Sequence, residues 1–363
     1  MKYFQKALIL AIFNLALIQK LQAQHLGKTP EGINIFKIDL SLDPEDRFVE
    51  TATFFKEPVI ELFQLYKDVI SEAINYMFKF LDLITWSRFN ERMQEIEGIA
   101  DVLDLSSNQV MMMNFLYELD AYCTSIIARQ DNGNLLLLRN LDFYFPNETK
   151  KITYIGKFYR AEKLLFEAPM FAGLVGVYTG MRENAFALSI NERNPKKSDT
   201  GFMANIGMMF SGFSQISYLT RQVLQDCNDY NCAFSKLQTK TLIAGGYLIL
   251  AGKQGNEGAV ISRERTGTLF VQKLNDTQWY LVQTNQDHFD GKCPIRCQKA
   301  NERIQAIGHK NITAENLRQN VLLQWPNLNF MSIYTTTYEV ASKYSNTILV
   351  SATNLEDPGD LDT

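Results

Sequence analysis

Two rhythms divide this chain. Up to residue 122 the apolar positions recur every three to four residues, and beyond it they come in short runs. Glu57-Pro58 opens the first rhythm, with proline suited to the start of a helix. Val59, Leu62, Phe63, Tyr66, Val69, Ala73, Met77, Phe80 and Ile84 then follow at helical spacing. Ser106-x-x-Gln109 is a capping box for another helix, which carries Val110, Met113, Leu116 and Tyr117. Such stripes ordinarily form core; the alternative is an apolar surface that meets lipid.

From Cys123 the period shortens. Thr124–Arg129 reads as a strand, Asp131-Asn132-Gly133-Asn134 as a hairpin turn, and Leu135–Leu138 as an apolar return strand. Further strands are expected around 151–156, 186–190, 247–250, 259–262, 269–272 and 279–283, with helices near 206–225 and 300–308. Strands dominate with helices between them, which is an α+β layered fold.

The first 23 residues read differently. Lys2 and Lys6 precede an apolar run from Ala7 to Ile18, and Leu21-Gln22-Ala23 closes it. This is the pattern of a signal peptide at 1–23. A membrane anchor fits less well, because the run falls short of the roughly 17 to 25 residues that span a bilayer. Three glycosylation triplets, at Asn147, Asn275 and Asn311, agree with secretion. Of five cysteines, Cys227 and Cys232 stand close together, as do Cys293 and Cys297, which leaves Cys123 over. A zinc site at Cys293-x-x-x-Cys297 is the alternative, but no second Cys/His pair stands at finger-like spacing.

The net charge of −4 excludes an ordinary nucleic-acid binder. Its distribution says more. Residues 24–122 hold 18 acidic and 8 basic side chains, whereas 123–363 hold 22 acidic and 25 basic. An acidic and a mildly basic piece attract, as two fragments of one cut chain would.

A cysteine attacks an amide as its thiolate, and a histidine usually supplies the base. His25, His288 and His309 are the only histidines, and none stands in a papain-like pattern. If the chain is cut between Tyr122 and Cys123, the new α-amine can serve instead, with an unperturbed pKa of about 7.7 to 8.0. A two-residue loop at Asn132-Gly133 sets Cys123 directly opposite Asp142, whose carboxylate could hold that amine. The same count turns Arg139 to the other face, unless a bulge near Asn140 brings it round. A plain salt bridge between Arg139 and Asp142 is the competing reading.

Cys123-Thr-Ser-Ile-Ile-Ala followed by Arg139-Asn-Leu-Asp142 resembles the signature of the acid ceramidase and N-acylethanolamine acid amidase family, cysteine N-terminal-nucleophile hydrolases with choloylglycine hydrolases as cousins. Arginine stands sixteen residues and aspartate nineteen residues after the cysteine, as in the family. The likeness extends through Glu97–Ala100, Asn114–Glu118, Phe171–Gly180, Ser189–Arg193, Glu257–Arg263, Val282–Asp287 and Ile333–Thr336. Pro294-Ile295-Arg296-Cys297 departs from it, standing where the family reads Asp-Asp-Arg-Arg.

The resemblance implies a four-layer αββα sandwich from residue 123 onward, preceded by a helical section at 24–122. It implies Cys123 as nucleophile, Arg139 beside its thiol, Asp142 holding the amine, Asn285 as oxyanion donor, Arg296 as a second site arginine and Glu192 as a structural or rim acid. It implies hydrolysis of an N-acyl lipid, ceramide-like or an N-acylethanolamine, after self-cleavage before Cys123. No cofactor is expected. The expected partners are the lipid, a membrane surface and the chain's own second fragment, in a lysosomal or secreted setting. An inactive lipid-binding homologue and an amidase for other linear amides are the alternatives.

Overall fold

A computed structural model describes residues 24–69, 91–116, 122–193 and 214–352. The expected signal peptide, the stripe positions 73–84, Tyr117 and the start of the helix expected at 206–225 lie outside the described residues.

Two sheets carry the architecture. The larger joins β1 (His25–Lys28), β2 (Asn34–Asp39), β5 (Thr153–Arg160), β6 (Lys163–Phe171), β7 (Thr179–Arg182), β8 (Phe186–Glu192), β9 (Gly246–Ala251), β10 (Gly258–Arg263) and β11 (Thr268–Lys273), in that order. The smaller runs β12 (Tyr280–Gln283), β3 (Tyr122–Arg129), β4 (Leu135–Asp142), β13 (Ser332–Glu339) and β14 (Tyr344–Leu349). Alternation along β3 and β4 sets the layers. Ile127, Leu135 and Leu137 pack against Ala187, Tyr247 and Ile249 of the larger sheet. Their neighbours Ile126, Ala128, Leu136 and Leu138 face outward onto Ala300, Ile304 and Leu322. Helices cover the larger sheet's other face, completing an αββα sandwich. Both faces of β4 are therefore buried, which explains its unbroken run of leucines.

The section before residue 122 is not wholly helical, as the spacing had suggested. It supplies α1 (Val49–Phe54), α2 (Lys56–Val69), α3 (Glu91–Leu103) and α4 (Ser107–Leu116), but also β1 and β2. β2 joins β5 in parallel register, so the section forms one edge of the larger sheet. Gly98 is required within α3, because a Cβ there would lie 1.9 Å from the carbonyl oxygen of Glu45. After Cys123 come α5 (Pro146–Lys151), α6 (Ile216–Asp226), α7 (Tyr230–Thr239) and α8 (Ile295–Ile307); α7 escaped the sequence reading.

Buried polar contacts fasten the two sections. Arg221 on α6 donates to both carboxylate oxygens of Glu95 on α3, at 2.5 and 2.6 Å, and both side chains are fully buried. Arg47 adds a bond to the same carboxylate at 2.9 Å. Asn114 on α4 donates to the Gly173 carbonyl and accepts from the Val175 amide, so two of the motifs noted above meet here. Removing Glu95 leaves buried guanidinium charge without its counter-ion. Glu95→Ala is therefore expected to lower unfolding free energy by about 3–5 kcal/mol in urea titration. A loss below about 1 kcal/mol, the range of a surface pair, would assign the fastening elsewhere.

Burial has a second consequence at Glu50 on α1. One carboxylate oxygen has no hydrogen-bond partner among the described residues. Desolvation, opposed only by a hydrogen bond with the His25 backbone, pushes the carboxyl from 4.5 to about 7. The folded chain then binds more protons than the unfolded chain between those values, so stability falls as pH rises from 4.5 to about 7. Glu50→Gln should flatten the melting temperature against pH in that window and raise it at neutral pH. An unchanged profile would mean that Glu50 is ionised throughout.

Candidate active site

The hairpin that carries Cys123 is one residue longer than its sequence suggests. Gln130 and Asn134 bracket a three-residue loop, with Gln130 N–H donating to the Asn134 carbonyl at 2.9 Å and Gly133 N–H to the Gln130 carbonyl at 2.9 Å. Within this loop only Gly133 has positive φ, at 85°, whereas a two-residue type I′ loop needs two such residues. The register shifts by one. Cys123 pairs with Leu141 and Ser125 with Arg139, while Asp142 lies opposite Tyr122. The expected faces are thus reversed. Arg139 shares the inner face with Cys123 without any bulge, and Asp142 belongs to the outer face.

Arg139 is fully buried between the sheets. It donates to Cys123 Sγ at 2.8 Å, to the carbonyls of Ile190 at 2.9 Å and Tyr178 at 3.2 Å, to the Tyr334 hydroxyl at 3.3 Å and to the Thr179 hydroxyl. A guanidinium donating to sulfur stabilises negative charge as it develops there. The expected salt bridge from Arg139 to Asp142 gives way to this network.

The outer face holds a second group. Asp142 accepts from the Ser332 hydroxyl at 2.6 Å and from Asn329 Nδ2 at 2.8 Å, and its Oδ2 lies 3.7 Å from Arg296. Burial raises its carboxyl above the ordinary range, against the pull of Arg296 and these two hydrogen bonds. Arg296, in the first turn of α8, donates to the Cys123 carbonyl at 3.0 Å and to Asn285 Oδ1 at 2.9 Å. Asn285 Oδ1 also accepts the Cys123 backbone N–H at 2.8 Å, and Asn285 Nδ2 donates to the Glu192 carbonyl at 2.9 Å. Four of the expected residues therefore gather around Cys123, and Glu192 contributes its main-chain carbonyl.

The sequence reading gave no role to several polar groups here. Arg193 grips Asp287 through two bonds of 2.7 and 2.8 Å, and the Tyr247 hydroxyl adds a third at 2.7 Å. Burial raises the Asp287 carboxyl, but these bonds outweigh it and hold it below the ordinary range. The clamp fixes the loop that presents Asn285. Ser125 bonds to Ser189 and Asn191 across the sheets, at 3.0 and 2.7 Å. Thr179, Asn329, Ser332 and Tyr334 were missed as well. For the strand residues among these, the available signal was a polar side chain inside an otherwise apolar strand.

Other expectations concern the surroundings. Cys227 is bonded to Cys232 and Cys293 to Cys297, so the latter pair is a disulfide and not a zinc site, and Cys123 is the free cysteine. His288 faces the Thr284 hydroxyl and the Val282 carbonyl, both at 3.0 Å, and burial lowers it to about 4. An apolar cavity lies at the seam between the two sections, lined by Leu62, Tyr66 and Met113 on one side and by Phe143, Phe171 and Tyr178 on the other. Tyr178 also supplies a carbonyl to Arg139, so the cavity adjoins the surroundings of Cys123. Asn147, Asn275 and Asn311 are exposed. No helix among the described residues is long and apolar enough to cross a membrane.

The chain has relatives among known proteins. Residues 123–313, beginning at Cys123, match the model of linear amide C–N hydrolases of the choloylglycine hydrolase family. A probable acid ceramidase of Caenorhabditis elegans is 30% identical over 358 residues, covering 89% of this chain and 87% of that protein. The N-acylethanolamine-hydrolyzing acid amidase of Rattus norvegicus is 35% identical over 251 residues, 68% of each chain. The solved structure of a Caenorhabditis elegans ortholog of that amidase aligns with a TM-score of 0.56 at 29% identity, covering 60% of this chain and 93% of that one. The chain is thus a hydrolase of linear amide C–N bonds and belongs to the acid ceramidase and N-acylethanolamine acid amidase branch of the choloylglycine hydrolase family.

Proposed function

We propose that this protein cleaves itself before Cys123 and then hydrolyses the amide of an N-acyl lipid, ceramide-like in the first reading, to a fatty acid and an amine. The observation that carries this is the placement of Cys123. Its thiol lies against Arg139 and its backbone nitrogen against Asn285 Oδ1, while His288 is turned to other partners.

In processing, Sγ attacks the Tyr122 carbonyl carbon. The amide C–N bond breaks, its nitrogen takes a proton and becomes the α-amine of Cys123, and water hydrolyses the resulting thioester. In turnover that amine removes the thiol proton, Sγ attacks the lipid amide, and the departing amine takes the proton. Water then frees the fatty acid. Asn285 Oδ1, already on the Cys123 nitrogen, fits the role of orienting the amine that was first given to Asp142. Its Nδ2 suits the oxyanion. Asp142 acts through Arg296, balancing the charge that holds Asn285 and the Cys123 carbonyl.

The apolar cavity at the seam supports an acyl chain as the bound group. Two disulfides and three exposed glycosylation asparagines support a lysosomal or secreted setting. An N-acylethanolamine is the second reading, favoured by the 35% identity to the rat amidase.

Three measurements test this. Purified precursor at acidic pH should yield fragments that meet between Tyr122 and Cys123, identified by sequencing the new N-terminus; a Cys123→Ala protein that still cuts there would rule out self-processing. Cleaved protein offered ceramide, an N-acylethanolamine and a bile-salt conjugate should release fatty acid from the lipids, and turnover confined to the conjugate would defeat the lipid assignment. Finally, Asn285→Ala should lower turnover by roughly 10²–10³ and also slow fragment formation, because Asn285 touches the Cys123 nitrogen. Asp142→Asn keeps the shape without the charge and should impair both steps. A fully active Asp142→Asn enzyme would show that the carboxylate charge beside Arg296 is dispensable.

A further inference from the structure

We infer that the Cys293–Cys297 disulfide is a positioning element of the active site: it staples the first turn of α8 so that Arg296, enclosed within its loop, is held on Cys123 and Asn285. The inference rests on the reading of Arg296 as part of an amidase site.

A helix start leaves backbone N–H groups in need of partners, and a Ser, Thr, Asp or Asn ordinarily supplies one. The N-cap of α8 is Pro294, which makes no side-chain cap bond. A first turn so begun tends to fray. Arg296 is the second residue of that turn, fully buried, and donates at 3.0 Å to the Cys123 carbonyl and at 2.9 Å to Asn285 Oδ1. The bridge spans this turn, joining the residue before the N-cap to the third helical residue, with Cα atoms 5.2 Å apart. Gln298 Nε2 donates to the Cys293 carbonyl at 2.7 Å and fastens the incoming segment to the same turn. The other disulfide, Cys227–Cys232, lies between α6 and α7 and encloses none of the site residues.

The staple can be opened by a dithiol. Cys293 is partly exposed, whereas Cys297 is buried. Attack on Cys293 Sγ breaks the S–S bond and expels Cys297 as thiolate, which Asn301 Nδ2 receives at 3.4 Å. The reductant's second thiol then releases Cys293 and closes its own disulfide. Two electrons pass from the dithiol to the protein.

The test compares cleaved wild type, a Cys293→Ser/Cys297→Ser variant and a Cys227→Ser/Cys232→Ser control on one fluorogenic N-acyl amide. Loss of the α8 staple should lower kcat roughly 10- to 100-fold, since displacement of about 1 Å suffices for that. KM and melting temperature should stay close to those of the control. Mild dithiothreitol should reproduce the loss in wild type, and reoxidation should restore it. Hydrogen exchange at residues 295–299 reads the turn independently of catalysis and should quicken on reduction. Unchanged exchange there, or an equal kcat loss in the control, overturns the inference. An oxidised wild type that cleaves no amide fails the amidase reading instead, and the exchange result still decides whether the bridge holds the turn.

Discussion

A guanidinium buried between two sheets must find every hydrogen-bond partner inside the protein, because water is not there to supply one. Arg139 meets this constraint at its two terminal nitrogens by drawing on both sheets. From the larger come the carbonyls of Tyr178 and Ile190 and the Thr179 hydroxyl; from the smaller come Tyr334 and the thiol of Cys123. The sheets cannot slide without breaking these bonds, so the sulfur's position is a property of the whole sandwich. Ser125, bonded across the same gap to Ser189 and Asn191, fixes the adjoining pair of strands.

The opposite side of β3 is organised by a different cation. Arg296 reaches the Cys123 carbonyl and Asn285 from a helix, with the buried Asp142 carboxylate 3.7 Å away. Cys123 is thus held at three atoms by three elements: its sulfur by β4, its nitrogen by the loop after β12, and its carbonyl by α8. Preorganisation of this kind is what electrostatic catalysis requires, since donors already in place cost no rearrangement when charge develops.

Much of this was legible in the sequence, and the failures are instructive. The helical stripes, the apolar hairpin strands and the spacing of Cys123, Arg139 and Asp142 could all be read. What spacing could not give was the turn. Asn-Gly suits two hairpin loops that differ by one residue, and that single residue decided whether Arg139 or Asp142 would face the thiol. Period-two geometry magnifies a small local choice into exchanged faces. β1 and β2 were hidden because they are short and join the sheet through the pairing of β2 with β5, a long-range contact that local pattern does not encode. Asn329 and Ser332 were hidden because they lie nearly 190 residues from the carboxylate they bind.

The same geometry bears on what would follow a cut before Cys123. Such a cleavage would sever β1, β2 and α1–α4 from the sandwich, and residues 24–122 hold no cysteine to tie them back. Sheet pairing of β2 with β5 and the Arg221–Glu95 pair both cross that junction. A buried ion pair adds little over an apolar contact, yet it penalises separation heavily, because each charge would be left uncompensated. The apolar cavity lies at this seam and needs both fragments for its walls. On the proposed cleavage, retention of the N-terminal fragment would therefore be a condition for this cavity to exist at all, and the buried pair would have a part in function although it touches no reacting atom.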